Sequence, residues 1–153
     1  YKTNIKENVS GLEFVMKLRP VTYQLDVHRL AADLHEDENA DPDGVQSGIA
    51  SSTLASRDKK AAIVYTGFIA QEVEQSAKSI GYDFSGVDAP KNENDFYGLR
   101  YAEFVVPLVK AVQELNQKNE ALEQKVEEMR LLNEEMHSLN KELIQRIEKL
   151  EDK

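Results

Sequence analysis

The sequence predicts an α+β protein, in which a small mixed domain with a short β-sheet and helices precedes a long C-terminal coiled-coil helix. Two observations predict this fold class. Glycine and proline stop at Pro107, and residues 108–153 consist mainly of Leu, Glu, Lys, Asn, Gln and Met, most of which favour helix. Residues 1–107 instead show short β-rich and helical patterns separated by turn residues. We therefore expect two parts, residues 1–107 and residues 108–153.

The first elements are predicted from caps and alternation. Ser10 is expected to cap a short helix that carries Glu13 at the capping-box position and ends before Pro20. Leu12, Val15 and Met16 are expected to form its apolar face. Residues 21–25 are β-rich and alternate, which predicts a strand, and residues 28–35 are expected to form one or two helical turns.

Residues 36–60 are acidic and then rich in Ser, Ala and Asp, which predicts an insertion or mobile loop. A second strand is expected over residues 62–65. A helix follows over residues 68–77, with Ile69 and Val73 on one face.

The last part of the domain is rich in Gly, Asp and Pro. Val87 is predicted to lie in an edge segment, and residues 97–100 are expected to be extended. The long helix is expected to begin near Tyr101. Pro107 either kinks its first turns or marks its true start.

A seven-residue repeat runs through the long helix without interruption. Two neighbouring heptad positions carry it, and we call these residues the seam. The d positions are Leu108, Leu115, Leu122, Met129, Met136, Leu143 and Leu150, and the a positions are Val112, Asn119, Val126, Asn133, Asn140 and Ile147. On a straight helix, residues seven apart drift gradually around the axis, whereas in a supercoiled helix they stay on one side. The strict repeat therefore predicts a coiled coil rather than a helix packed on its own domain.

Asparagines occupy three of the a positions. Asparagine at this position lowers the stability of a coiled coil, but it disfavours shifted registers because they would bury an unpaired amide. The alternative interpretation is a weak coil whose interior is partly hydrated, and the two interpretations are compatible. The mixed seam does not determine the number of strands. Leu132, Leu139 and Ile144 flank the seam and widen the apolar face, which favours more than two chains.

The composition excludes several classes of function. The chain has 19 Lys and Arg against 28 Asp and Glu, a formal net charge of −9, which argues against a nucleic-acid partner. It has no cysteine, which excludes disulfides, thiolate nucleophiles and cysteine-based zinc sites. No apolar run predicts a membrane span, and no cofactor is expected. The start at Tyr1 suggests a piece of a longer protein.

Two groups of residues partly match known metal sites, but neither is expected to bind a metal. Residues 37–44 resemble a calcium loop, but Ala50 stands where the bidentate glutamate is required, so a solvated acidic loop is expected. His28 and His35 are two helical turns apart, but zinc usually needs three or four protein ligands. These two histidines and His137 are predicted to be surface residues.

Five segments occur in a recognisable order. They are residues 2–5 (Lys-Thr-Asn-Ile), 18–23 (Leu-Arg-Pro-Val-Thr-Tyr), 67–73 (Gly-Phe-Ile-Ala-Gln-Glu-Val), 97–101 (Tyr-Gly-Leu-Arg-Tyr) and 106–115. Together they resemble the C-terminal intramolecular chaperone domain of phage tail spikes and tail fibres, the S74 family of self-cleaving peptidases. The box at residues 67–73 is the most specific of them.

The resemblance implies a homotrimer, and hence a trimeric coiled coil, that guides folding of an upstream fibre or spike segment and then cuts itself off. It implies a Ser-Asp-x-x-x-Lys motif with cleavage just before the serine. Lys2 matches the lysine and would be the general base, while the serine would precede Tyr1. The location implied is a virion assembly intermediate in the host cytoplasm, or a bacterial surface protein.

The implied chemistry is physically reasonable. A serine hydroxyl needs a neighbouring base, and a lysine serves as one only when burial or cationic neighbours favour its neutral form. Assembly would supply that burial. The alternative interpretation is a structural module that trimerises a fibrous surface or tail protein and stays attached to it.

Overall fold

A computed structural model describes residues 1–36, 47–93 and 95–151 of the chain. Within these ranges the chain forms five α-helices and two antiparallel sheets of two strands each, which confirms the α+β class. The elements are α1 (Leu12–Val15), β1 (Val21–Tyr23), α2 (Val27–Asp33), α3 (Ser47–Ala61), β2 (Tyr65–Gly67), α4 (Ala70–Ser79), β3 (Val87–Asp88), β4 (Gly98–Leu99), a 3₁₀ turn (Tyr101–Phe104) and α5 (Val105–Glu151).

An aromatic cluster forms the core around the start of α5. The Phe14 ring on α1 lies 4.8 Å from the Phe84 ring, which in turn lies 4.8 Å from Phe104 in the 3₁₀ turn. Val73 and Ala77 of α4 complete the cluster. The predicted apolar face of α1 is therefore wrong in part, because Phe14 is its fully buried residue and Met16 is 75% exposed.

The β1–β2 sheet corrects the position of the second strand. Thr22 pairs with Thr66 and Tyr23 with Tyr65, so the strand covers residues 65–67 rather than 62–65. Ile63 and Val64 have high β-propensity but are exposed and have no paired strand. Strand propensity depends on a partner, and β1 supplies one only from Tyr65 onwards.

The second half of the predicted insertion is helical. Ser47–Ala61 forms α3 instead of a loop, and its last turn carries Lys59 and Lys60, which stabilise the negative end of the helix dipole. His28 of α2 contacts Asp58 of α3 at 2.8 Å, which ties the two helices together.

The predicted short helix over residues 28–35 is confirmed as α2. The expected solvated acidic loop, which resembles a calcium loop in sequence, falls largely within residues 37–46, outside the described residues.

The start of α1 is held by the long helix rather than by its own cap. Gly11, not Ser10, occupies the N-cap position, and it makes no side-chain cap hydrogen bond. The backbone N–H of Leu12 instead donates to Glu114 Oε2 of α5 at 2.8 Å. The prediction of a Ser10 cap is therefore wrong, because a carboxylate distant in sequence satisfies this donor.

Gly11 lies where α1 meets the backbone of α5. A Cβ at this position would lie 2.7 Å from the Ala111 nitrogen and 2.8 Å from the Lys110 carbonyl carbon. We expect Gly11→Ala to lower the free energy of unfolding by about 1–3 kcal/mol, since the helices must move apart. Urea denaturation checks this. Gly98→Ala is the control, because its Cβ would lie 3.6 Å from Asp88 Cβ. Equal stability of both variants would contradict the prediction.

The later elements largely follow the predictions. Val87 lies in β3, which pairs with β4 at residues 98–99. The helix predicted over residues 68–77 begins two residues later, at Ala70, because Ile69 is extended. Pro107 is the third residue of α5, where a missing N–H costs no intrahelical hydrogen bond, so it marks the start of the helix. The proposed boundary at residue 107 stays a prediction.

Candidate functional site: the open face of α5 and the amino-terminal arm

The seam lies exposed along α5. This helix has 47 residues and a length of about 70 Å. The apolar seam residues are between 45% and 72% exposed in the single chain. These residues are Leu108, Val112, Leu115, Leu122, Val126, Met129, Met136, Leu143, Ile147 and Leu150. An apolar stripe of this length, interrupted by three asparagines, is typical of a surface that another chain covers.

The domain packs against one flank of the first turns of the helix. Phe104, Pro107 and Ala111 are buried by the domain, and Lys110 and Glu114 are half-buried. In the heptad frame these residues occupy positions c, f and g, whereas the seam occupies a and d. The fold therefore leaves the seam accessible from its first turn to its last.

The predicted polar and flanking positions lie on the same open side. Asn119, Asn133 and Asn140 are exposed in the a row, and His137 is exposed beside the d row. Leu132, Leu139 and Ile144 are each more than half exposed and widen the stripe. The three asparagines, His137 and the three flanking apolar residues are thus all accessible on α5, and their role in a coiled coil stays a prediction.

Lys2 lies in an arm formed by residues 1–9, which precedes α1. Lys2 and Ile5 are exposed, and Asn4 adopts a positive φ of 54°. Lys6, Glu7 and Val9 form one wall of a groove, and the first turns of α5 form the other. The arm therefore runs beside the base of the open face.

Two motif segments of the domain meet through an ion pair. Arg19 Nε donates to Glu72 Oε2 at 3.0 Å, and the second guanidinium nitrogen contacts Glu72 Oε1 at 2.5 Å. These side-chain hydrogen bonds hold the pKa of Glu72 below its ordinary value and raise that of Arg19. Arg19 precedes β1 and Glu72 lies in the first turn of α4, so the pair connects α4 to the loop after α1 at the protein surface.

Tyrosines join a third motif segment to the same region. Tyr97 donates its hydroxyl to Glu74 Oε2 at 3.1 Å, and the Phe68 N–H donates to the Tyr101 hydroxyl at 3.1 Å. Hydrogen bonds, first from Lys78 and then from Tyr97, lower the pKa of Glu74. A Cβ on Gly67 would collide with the Tyr101 hydroxyl. The motif segments thus build the scaffold on which α5 begins.

This scaffold role does not follow from the sequence patterns. Arg19 and Glu72 are 53 residues apart, and no local pattern connects them. Their opposite charges inside two specific motif boxes were the only signal. Glu114, which accepts the Leu12 N–H, was missed for the same reason.

The rejected metal candidates do not assemble into a cluster. His28 pairs with Asp58, and no group of three or more His, Asp or Glu is placed to hold a metal in the residues described. Within the same ranges, no helix is both long and apolar enough to cross a membrane.

Comparison with known proteins supplies one family. The family model Peptidase_S74, described as chaperone of endosialidase, matches residues 1–82 of the 153. No curated protein and no solved structure matches the chain. The matched range contains Lys2, Arg19 and Glu72, whereas α5 lies beyond it.

Proposed function

Because the chain belongs to the Peptidase_S74 family, the chaperones of endosialidase, we propose that it is a C-terminal intramolecular chaperone. In this proposal it trimerises, assists folding and assembly of an upstream fibre or spike segment, and releases itself by cleavage with a serine–lysine dyad. The observation that carries the proposal is the exposed seam on the side of α5 that the domain leaves open.

Burial of the seam supplies the energy for assembly. Each half-exposed Leu, Val, Ile or Met that becomes buried contributes on the order of 1 kcal/mol. Ten such residues on each chain make the sum large enough for a stable assembly. The three a-position asparagines hold the chains in one register, because a shifted register would bury their amides against apolar side chains.

The width of the open face favours three chains. In a two-stranded coil, the a and d rows alone are largely buried, and residues at e and g remain at the edge. Here Leu132, Leu139 and Ile144 extend the apolar surface to positions g and e. A third helix covers such flanking residues, which supports a trimer over a dimer.

The cleavage step uses Lys2 as the base. The hydroxyl oxygen of the serine bonds to the carbonyl carbon of the preceding residue, and the hydroxyl proton passes to the Lys2 amine. The peptide C–N bond then breaks, and the departing amine takes up a proton. Water hydrolyses the resulting ester, which frees the upstream carboxylate and restores the hydroxyl. The serine, the scissile bond and Lys2 all belong to one chain, so no substrate-binding step is needed to bring them together.

The exposure of Lys2 supports a link between cleavage and assembly. In the single chain Lys2 is exposed, and an exposed ammonium is well solvated. A lysine acts as a base only in its neutral form, which burial favours. We propose that this burial comes with assembly, so that only trimers release the upstream product.

The test is expression of the precursor that includes the natural sequence before Tyr1. Sedimentation equilibrium measures its association, and intact mass measures cleavage over time. We expect trimers, and a new amino terminus at the dyad serine that appears only after trimers form. Trimers whose mass stays whole would leave the non-cleaving structural module as the function. A monomer at all concentrations would contradict both.

A further inference from the structure

A groove separates the arm from the base of α5. Lys6, Glu7 and Val9 line one side, and Val105, Val106, Val109, Lys110 and Gln113 line the other. The three valines on the helix are each more than half exposed. The groove therefore has an apolar floor and a charged rim, and within the described residues nothing covers it.

The floor of the groove continues the seam. With Leu108 at d, Val105 takes position a and Val109 takes position e, next to Val112 at a. Their side chains lie on the open side of α5, away from Pro107 and Ala111. Any chain that covers the seam down to its first turn therefore also approaches the groove.

Charge complementarity favours a second, parallel copy as the covering chain. In a parallel coil, a g residue faces the e residue five positions later on its neighbour. This places Lys118 against Glu123 of the second copy, and Leu139 against Ile144 of the second copy. In an antiparallel pair, g residues face one another, and Lys118, Lys125 and Arg146 would repel.

The parallel arrangement brings one like-charged pair together, and carboxylates on the same helix reduce the repulsion between its members. Lys125 would face Arg130 of the second copy. Arg130 is already paired within its own helix, with Glu127 at 2.8 Å and with Glu134 one turn later. These carboxylates neutralise the guanidinium, so the contact is not strongly repulsive.

We infer that a second, parallel copy of the chain closes the groove, so that the arm carrying Lys2 lies between two subunits. The e side of one α5 then faces the g side of its neighbour, where the neighbour's own α1 packs. Lys2 lies on the same arm, four residues before Lys6, so we expect the neighbour to approach the site around Lys2 as well. This inference rests on the proposed trimer and adds the partner subunit as a wall of the cleavage site.

Lysine acetylation measured by mass spectrometry tests the inference without relying on cleavage. We expect Lys6 to be acetylated at least about tenfold more slowly in the trimer than in dissociated chains. The reason is that a lysine in a closed groove is accessible to the reagent only when the groove opens. Lys59 and Lys60, exposed on α3, are the internal controls and should not change. If Lys6 reacts equally fast in verified trimers, the inference is overturned while the proposed function stands.

Two variants sharpen the test. Val106→Asp places a charge in the groove floor but outside the a and d rows. It should restore Lys6 reactivity while sedimentation still shows trimers. Leu131→Asp, at an exposed position on the outer side of α5, is the matched control and should keep Lys6 protected. Continued protection of Lys6 in Val106→Asp trimers would place the covering surface elsewhere and contradict the inference.

Discussion

Replacing Leu122 and Met129 together with aspartate is expected to convert the assembled chain into monomers with a folded domain. Both residues occupy d positions and are 58% and 60% exposed in the single chain. In a trimer each position would bring three carboxylates together in apolar surroundings, and each unpaired charge costs several kcal/mol. We expect the dissociation constant to rise at least ~1000-fold, since each 1.4 kcal/mol is tenfold.

The measurement is sedimentation equilibrium, with thermal unfolding to follow the domain. The core residues Phe14, Phe84 and Phe104 lie far from both substitutions, so the domain should keep its own unfolding transition. Leu131→Asp adds the same side chain to the outer side of the helix and should leave the trimer intact. A double variant that stays trimeric would show that the seam does not hold the chains together.

Replacing Lys2 with alanine in the precursor is expected to slow self-cleavage by at least ~100-fold, the usual contribution of a general base. Lys2→Arg should lose the same activity, because a guanidinium keeps its proton and cannot act as a base. Both variants should still form trimers, since Lys2 lies outside the seam. The rate is measured from intact mass after the precursor assembles.

Lys6→Ala is the control for the Lys2 variants. Lys6 lies on the same arm and is also exposed, but it does not match the position of the dyad lysine. Its substitution should leave the cleavage rate within a few-fold of the original. If Lys2→Ala cuts at the normal rate, Lys2 is not the base, and loss of cleavage in Lys6→Ala alone would move that role to Lys6.

The sequence predicted local patterns better than distant pairings. The heptad repeat and the end of glycine and proline usage located α5, because helix formation depends on neighbours three and four residues apart. The second strand was displaced, because Ile63 and Val64 have the right propensity but β1 pairs only with residues 65–67. The α1 cap was wrong because its acceptor, Glu114, lies 102 residues away.

The candidate site was predicted to different degrees in its two parts. The seam followed from periodicity, and the structure leaves its a and d rows exposed while the domain buries Pro107 and Ala111 beside them. Lys2 followed from the family resemblance alone, since nothing in its surroundings in the single chain distinguishes it from other exposed lysines. The pairing of Arg19 with Glu72 required the folded chain, because it joins two segments through space.

Because α1 packs on the first turns of α5, we expect the folded domain to help the long helix begin. Starting a helix is unfavourable, because several residues must be fixed before the first hydrogen bond forms, whereas extension is easy. The domain holds Pro107 and Ala111 in helical conformation, and Glu114 caps α1 from the next turn. We therefore expect the folded domain to nucleate α5, and in the proposed trimer we expect the helices to propagate from that end. A chain whose domain is still unfolded would lack this nucleus and is expected to join the assembly late.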